Sequence, residues 1–248
     1  MLMRLSQMNS YQKKSKVVFE NINRYYGQTK ILDDINLHIK EGELVAIVGP
    51  SGCGKSTIFN IMAGLIEPSS GNFSIDGKLS YMYQKDLLLP YKNILDNVAL
   101  PMIIEGQSKS VARETVKPYF KTFELEGYEM MYPHELSGGM RQRANFMRTY
   151  FSSNDIMLLD EPFGALDSIT KASIQDWFLK VRKKTNSTIF LITHDIDEAI
   201  HLADRIYVMS NKPAHVKEEI LLYPNHIDKA DIGQIARVKA HIMDLIRS

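Results

Sequence analysis

The run Gly49-Pro50-Ser51-Gly52-Cys53-Gly54-Lys55-Ser56-Thr57 directly follows the apolar stretch Leu44-Val45-Ala46-Ile47-Val48. It fits G-x-x-x-x-G-K-[ST], the pattern of a phosphate-binding loop. Glycines at these spacings let successive backbone N–H groups turn inward around an anion, where side chains would obstruct. A helix beginning near Lys55 adds the positive end of its dipole to the same anion. In that arrangement Lys55 reaches the β- and γ-phosphates of a nucleotide, and the Ser56 hydroxyl ligates Mg²⁺. The alternative is a glycine-rich turn that matches by chance. The short buried strand before the loop and the helical Thr57 to Ala63 after it count against that reading.

Two carboxylates follow a second apolar run, in Ile156-Met157-Leu158-Leu159-Asp160-Glu161-Pro162. A carboxylate at the carboxyl end of a central strand sits where open α/β sheets bind ligands. Asp160 there can hold Mg²⁺, directly or through water, and Glu161 can polarise an attacking water as a general base. The alternative, for the pair standing alone, is an acidic strand end that faces solvent. His194 ends another apolar strand, Thr188 to Thr193, and is expected at the same sheet end, in contact with a γ-phosphate or its water. In Leu136-Ser137-Gly138-Gly139, two glycines follow a serine at a helix start. They can form a second anion-binding nest, or Ser137 can simply cap the helix. One ATP does not need two glycine-rich sites from a single chain. The duplication makes sense if Ser137 and Gly139 face the γ-phosphate of ATP held by another copy, in a head-to-tail dimer that closes two sites.

The elements around these residues set the fold class. Expected strands cover Val17–Glu20, Ile31–Ile39, Leu44–Val48, Asn72–Lys78 (running into a turn), Leu79–Tyr83, Ile156–Asp160, Thr188–Thr193 and Arg205–Met209. Tyr25-Tyr26-Gly27 lies between the first two; the aromatic there either stacks on a nucleotide base or packs at a strand end. From about Ile94 to Gly127 apolar residues recur at helical spacing without strand-like alternation. Helices are expected after Leu136, from Ile169 to Lys184, from Ile196 to Ala203 and from Ala230 to Ile246. Strands alternating with helices indicate an α/β fold with a largely parallel sheet and a small antiparallel portion. The chain reads as one domain over residues 1–248, with a helical lobe inserted at 85–153.

Composition narrows the classes. The 248 residues are 44% hydrophobic and 24% charged, with a formal net charge of +1. That balance lacks the basic surplus that nucleic-acid binding demands. The single cysteine, Cys53, excludes an internal disulfide framework, and its small side chain suits a crowded loop. The N-terminus lacks the apolar core of a signal peptide. No apolar run approaches the roughly 20 residues of a membrane span, so any work at a membrane goes through a partner. The stretch up to about Lys14 is polar and expected to be loosely held.

In this order, the loop, Gln84, the Leu136–Gly139 motif, Asp160-Glu161 and His194 closely resemble the ATP-binding subunits of ABC transporters. The resemblance runs from Tyr26 to at least Met209 and implies a P-loop ABC-type ATPase core. It implies that Tyr26 stacks on adenine, that residues 49–57 hold ATP, and that Gln84 links the Mg²⁺ site to a transmembrane partner. Ser137, Gly138 and Gly139 would be signature residues, Asp160 the metal-site aspartate, Glu161 the catalytic base and His194 the switch histidine. The loop Ala165-Leu166-Asp167 would cross a dimer interface. Every expected position is filled, which favours a homodimer with two active sites. Met140 departs from the family, where many members carry glutamine, and it has no amide with which to make that glutamine's polar contacts. The wording around Met140, of Gln84–Pro90, Pro162–Asp167 and Gln175–Trp177, resembles the importer group for nitrate, sulfonates, taurine and thiamine pyrimidine precursors. The resemblance implies an importer's ATPase on the cytoplasmic membrane face, working with permease subunits and an extracytoplasmic solute-binding protein. The competing expectations are an exporter ATPase, a non-transport ABC ATPase acting on nucleic acid, and a nucleoside-phosphate kinase. The compact segment between Gln84 and Leu136 leaves no room for the coiled coil of the second, and the third does not explain Leu136–Gly139.

Overall fold

The computed structural model describes residues 14–222 and 231–248. Apart from Lys14, the N-terminal stretch expected to be loosely held lies outside the described residues, as does Ala230 at the start of the expected closing helix. In chain order the elements are β1 (Ser15–Tyr26), β2 (Thr29–Lys40), β3 (Leu44–Val48), α1 (Lys55–Met62), β4 (Ser70–Ile75), β5 (Leu79–Met82), α2 (Ile94–Ile104) and α3 (Lys109–Val116). There follow α4 (Gly138–Ser152), β6 (Ile156–Asp160), α5 (Ser168–Thr185), β7 (Thr188–Ile192), α6 (Ile196–Leu202), β8 (Arg205–Met209), β9 (Val216–Leu221) and α7 (Ile232–Arg247). Two compact units divide the chain: Met1–Gly77 with Thr188–Ser248, and Lys78–Ser187.

In the first unit, β3 pairs in parallel with β7 on one side and β8 on the other, and β9 closes the edge antiparallel to β8. Every residue of β3, β7 and β8 is buried. Near-continuous apolar strands are what a parallel sheet covered on both faces requires. Helix α1 lays Ile58, Phe59, Ile61 and Met62 into this core, with the Phe59 ring 5.1 Å from that of Phe190. A separate antiparallel sheet has the order β2-β1-β4. The strands β1 and β2 are longer than expected, because Tyr25 and Tyr26 pair with Lys30 and Thr29 across a two-residue turn. Gly27 supplies the positive φ of +59° that such a tight hairpin needs. Strand β9 was not expected. Its middle, Lys217-Glu218-Glu219, is charged, which an edge strand tolerates.

A buried ionic cluster ties these strands together. The Arg205 guanidinium donates to Glu43 at 2.8 Å, to Glu219 at 2.7 Å, to His38 Nε2 at 2.5 Å and to the Tyr207 hydroxyl at 3.4 Å. His38 must accept from Arg205, so its ring is held neutral. Burial and the Arg205 charge lower its pKa below the usual 6.5, aided by Lys40 and opposed by Glu219 and Glu43. A base with a depressed folded pKa binds more protons unfolded. Its contribution to stability is therefore complete above the unfolded pKa and lost as pH falls through the folded one. Stability should drop on acidification below about pH 7, where the unfolded-state histidine begins to take up its proton. His38→Gln keeps an acceptor for Arg205 without titrating, and its melting temperature should fall less over that range.

In the second unit, β5 and β6 are parallel, with Leu79 opposite Ile156 and Met82 opposite Leu159. β5 stops at Met82, one residue short of the expected strand. The helical periodicity read over Ile94–Gly127 resolves into α2, α3 and a short 3₁₀ turn at Lys117–Tyr119. Gly106, at φ +98°, breaks the run, and the Ser108 hydroxyl restarts it by capping α3. On α5, Ile174, Trp177, Phe178 and Val181 form one buried face. Phe146 of α4 packs against Trp177, Phe178 and Phe163, with centroids 5.0–5.9 Å apart. The expected α/β class, with parallel strands and a small antiparallel sheet, is the fold observed. Among the described residues no helix is long and apolar enough to cross a membrane.

Candidate nucleotide site

The first unit carries the phosphate-loop residues. Strand β3 delivers Gly49, and α1 begins at Lys55 with Gly54 as its N-terminal boundary. Gly54 sits at φ +129°, and a Cβ there would lie 2.8 Å from Leu32 Cδ2 and 3.1 Å from Ile31 Cγ2. A Cβ on Gly49 would lie 2.8 Å from Met209 Cβ. Only glycine fits these two positions, so the loop can hug an anion with its backbone. Among the described residues, no side chain caps the first turn of α1. Lys55 is 7% exposed, and its ammonium donates to the carbonyls of Gly49 and Pro50 at 2.9 Å each. A cation thus already sits inside the loop. Ser51, Gly52 and Ser56 are exposed, Pro50 and Thr57 half-buried, and Cys53 buried.

Register places His194 beside this loop. Ile47 lies opposite Ile192 in the β3–β7 pair, so Gly49 and His194 each leave two residues later at the same carboxyl edge. His194 is exposed, and Asp195 after it caps α6 by accepting from the Glu198 N–H at 3.2 Å. Tyr26 ends β1 with 46% of its surface exposed, and the Arg24 guanidinium lies 4.8 Å over its ring.

The second unit repeats the edge logic. Met82 lies opposite Leu159, so Gln84 and Glu161 emerge together two residues later. Gln84 Nε2 donates to Glu161 Oε2 at 2.9 Å, which turns the amide oxygen away from that carboxylate. Glu161 has φ +45°, a left-handed conformation uncommon for a non-glycine residue and concentrated at functional sites. Asp160 ends β6, half-buried, and its Oδ2 accepts from the Tyr81 hydroxyl at 3.1 Å. Burial, then the Asp160 charge, push the Tyr81 phenol well above its ordinary pKa, so it stays a donor. Sequence reasoning missed Tyr81. The alternation Leu79-Ser80-Tyr81-Met82-Tyr83 carries the signal, because it sets both tyrosines on one face of the strand.

Of the two readings of Ser137, the capping one is realised: its hydroxyl accepts from the Met140 N–H at 3.3 Å. Ser137 and Gly138 are exposed and Gly139 is buried. Asp167 caps α5, accepting from the Thr170 N–H at 3.0 Å, and the Thr170 hydroxyl and N–H hold its carboxyl below the usual range. The expected residues therefore fall into two groups. Tyr26, residues 49–57 and His194 belong to the first unit; Gln84, Ser137–Gly139, Asp160, Glu161 and Asp167 belong to the second.

The donors suit a nucleotide and Mg²⁺. Ser56 in the first unit offers a hydroxyl oxygen, and Gln84 and Asp160 in the second an amide and a carboxylate oxygen, each a hard donor of the type Mg²⁺ takes. The loop, with its crowded glycines and internal ammonium, suits phosphate.

The pattern of the family described as ABC transporter matches residues 32–164. The chain is 41% identical over 215 residues to the formylaminopyrimidine import ATP-binding protein ThiZ of Halalkalibacterium halodurans, covering 86% of each chain. It is 35% identical over 234 residues to the aliphatic sulfonates import ATP-binding protein SsuB of Bacillus thuringiensis, covering 88% of this chain and 92% of the other. Among solved structures, the dimeric ABC transporter cassette MJ0796 superposes with a TM-score of 0.71 at 33% identity, over 84% of this chain and 99% of that one. The same cassette is known in a dimeric post-hydrolysis state bound to ADP and Pi. A phosphate loop alone leaves the fate of a bound nucleotide open, but likeness along most of the chain closes the question. The chain belongs to the ABC transporter family, as one of its ATP-binding, ATP-hydrolysing subunits.

Proposed function

We propose that this ATPase drives uptake of a small solute through separate transmembrane permease subunits. A thiamine pyrimidine precursor is the favoured solute, ahead of sulfonates, taurine and nitrate. The observation that carries this is the 41% identity, over 86% of both chains, to a subunit named for formylaminopyrimidine import; the sulfonate relative stands at 35%. The subunit would sit on the cytoplasmic membrane face, held there by the permease and served by an extracytoplasmic solute-binding protein. Residues 1–248 would act as one ATP-binding domain, in which the helical lobe of 85–153 meets the permease.

Hydrolysis follows from the residues. Tyr26 would stack on adenine, and the N–H groups of residues 49–57 with the Lys55 ammonium would bind the phosphates. Ser56, Asp160 and Gln84 would hold Mg²⁺, which would supply positive charge to offset the negative charge building up on phosphate. Water attacks the γ-phosphorus as the bond to the β–γ bridging oxygen breaks, and Glu161 takes the proton. His194 would hydrogen-bond the γ-phosphate or that water. Ser137, Gly138 and Gly139 would face ATP held by a second copy of the chain, with Asp167 on the loop at the dimer interface.

Uptake tests the reading. Cells lacking this chain should lose accumulation of radiolabelled formylaminopyrimidine and keep that of taurine, alkanesulfonates and nitrate. Loss of one of the latter instead would reassign the solute; no loss of any would sink the import reading.

A further inference from the structure

We propose that Tyr81 is a positioning residue for the metal-site carboxylate, its hydroxyl fixing the orientation in which Asp160 meets Mg²⁺. This rests on the assignment of Asp160 above. The Tyr81 hydroxyl donates to Asp160 Oδ2 at 3.1 Å from the neighbouring parallel strand. The phenol cannot swing freely. Its ring is half-buried and stacks on Tyr83, with centroids 4.1 Å apart and planes at 17°. A rigid ring carrying a single hydroxyl therefore pins one carboxylate oxygen and sets the torsion of the other. Partners of this kind, one bond behind a metal ligand, hold its geometry and raise its affinity for the ion.

The chain places a second such contact three residues on. Gln84 meets Glu161 at 2.9 Å as Tyr81 meets Asp160. One short segment, Tyr81 to Gln84, thus carries a donor for each of two adjacent carboxylates. A shift of that segment would disturb both at once.

Tyr81→Phe removes the hydroxyl and keeps the ring. The test is equilibrium binding of trinitrophenyl-ATP to the full chain, with Mg²⁺ absent and then titrated, and with Mn²⁺ bound alongside a non-hydrolysable ATP analogue as a paramagnetic probe. The Mg²⁺ concentration that half-saturates the nucleotide complex should rise about 10-fold, the lower end for losing such a partner. Nucleotide affinity without Mg²⁺, and the melting temperature, should match wild type. A lower melting temperature with unchanged Mg²⁺ dependence would make Tyr81 merely structural and overturn the proposal. Asp160→Asn separates the two claims. If it leaves Mg²⁺ dependence unaltered, the assignment of Asp160 falls and this inference falls with it. If it raises that dependence while Tyr81→Phe does not, only the inference falls. If both raise it, the double variant should add nothing further, because each change breaks the same contact.

Discussion

Glu161→Gln should slow ATP hydrolysis by about 10²–10⁴-fold, the usual contribution of a positioned base, with ATP binding preserved. The glutamine has the same length and still offers an oxygen to Gln84 Nε2, which now meets Glu161 Oε2 at 2.9 Å. What it cannot do is take a proton from water. The backbone argues that this carboxylate is held for a purpose. Glu161 stands at φ +45°, a conformation costing on the order of 1–3 kcal/mol for a residue with a side chain. The turn that follows, where the Gly164 N–H donates to the Glu161 carbonyl at 3.1 Å, holds it there. With hydrolysis blocked and binding intact, the variant should collect as an ATP-bound dimer. Phosphate release measures the first effect, and light scattering with and without ATP the second. Wild-type turnover by a protein that stays monomeric would remove both the base and the shared site.

Much of this site was legible because its parts are local. Gly49 to Thr57 is a contiguous pattern, and the apolar strand ahead of it and helix behind it are its immediate neighbours in sequence. Asp160 and Glu161 were legible for the same reason, at the end of an apolar run. What the sequence could not supply was pairing over distance. Gln84 and Glu161 meet across 77 positions, as do their register partners Met82 and Leu159. Tyr81 was read only as part of a strand, because its meaning comes from the carboxylate on the next one.

The misplaced elements have similar causes. Tyr25 and Tyr26 fall between the two expected strands, and only their pairing with Lys30 and Thr29 brings them into the sheet. Strand β9 hides behind Lys217-Glu218-Glu219, since an edge strand with one polar face has little apolar signal. The Ile94–Gly127 stretch keeps its helical period while Gly106 interrupts the helix, because periodicity averages over a break that one positive φ decides. Ser137 shows the limit from the other side: its cap is visible in one chain, whereas a role towards a second copy would be built by assembly.

Lys55→Ala should lower hydrolysis by the opposite route, through weakened binding. In this structure Lys55 is 7% exposed, and its ammonium bridges the Gly49 and Pro50 carbonyls at 2.9 Å. ATP would recruit the same cation, so Lys55 exchanges two neutral acceptors for charged phosphate oxygens. A hydrogen bond to a charged group contributes about 1.5–3 kcal/mol. Its loss should weaken ATP binding roughly 10–100-fold, at about 1.4 kcal/mol per tenfold. The truncation also leaves two carbonyls inside the loop without their donor, at about 1–3 kcal/mol for each that water cannot reach. The nucleotide-free variant should therefore melt lower than wild type, an effect Glu161→Gln has no reason to share. Equilibrium dialysis with labelled ATP checks the affinity and thermal unfolding the stability. Wild-type affinity in Lys55→Ala would mean that the loop is no phosphate cradle, however well it fits the pattern. Lost affinity here beside retained affinity in Glu161→Gln would divide the work by residue, Lys55 holding the substrate and Glu161 breaking it.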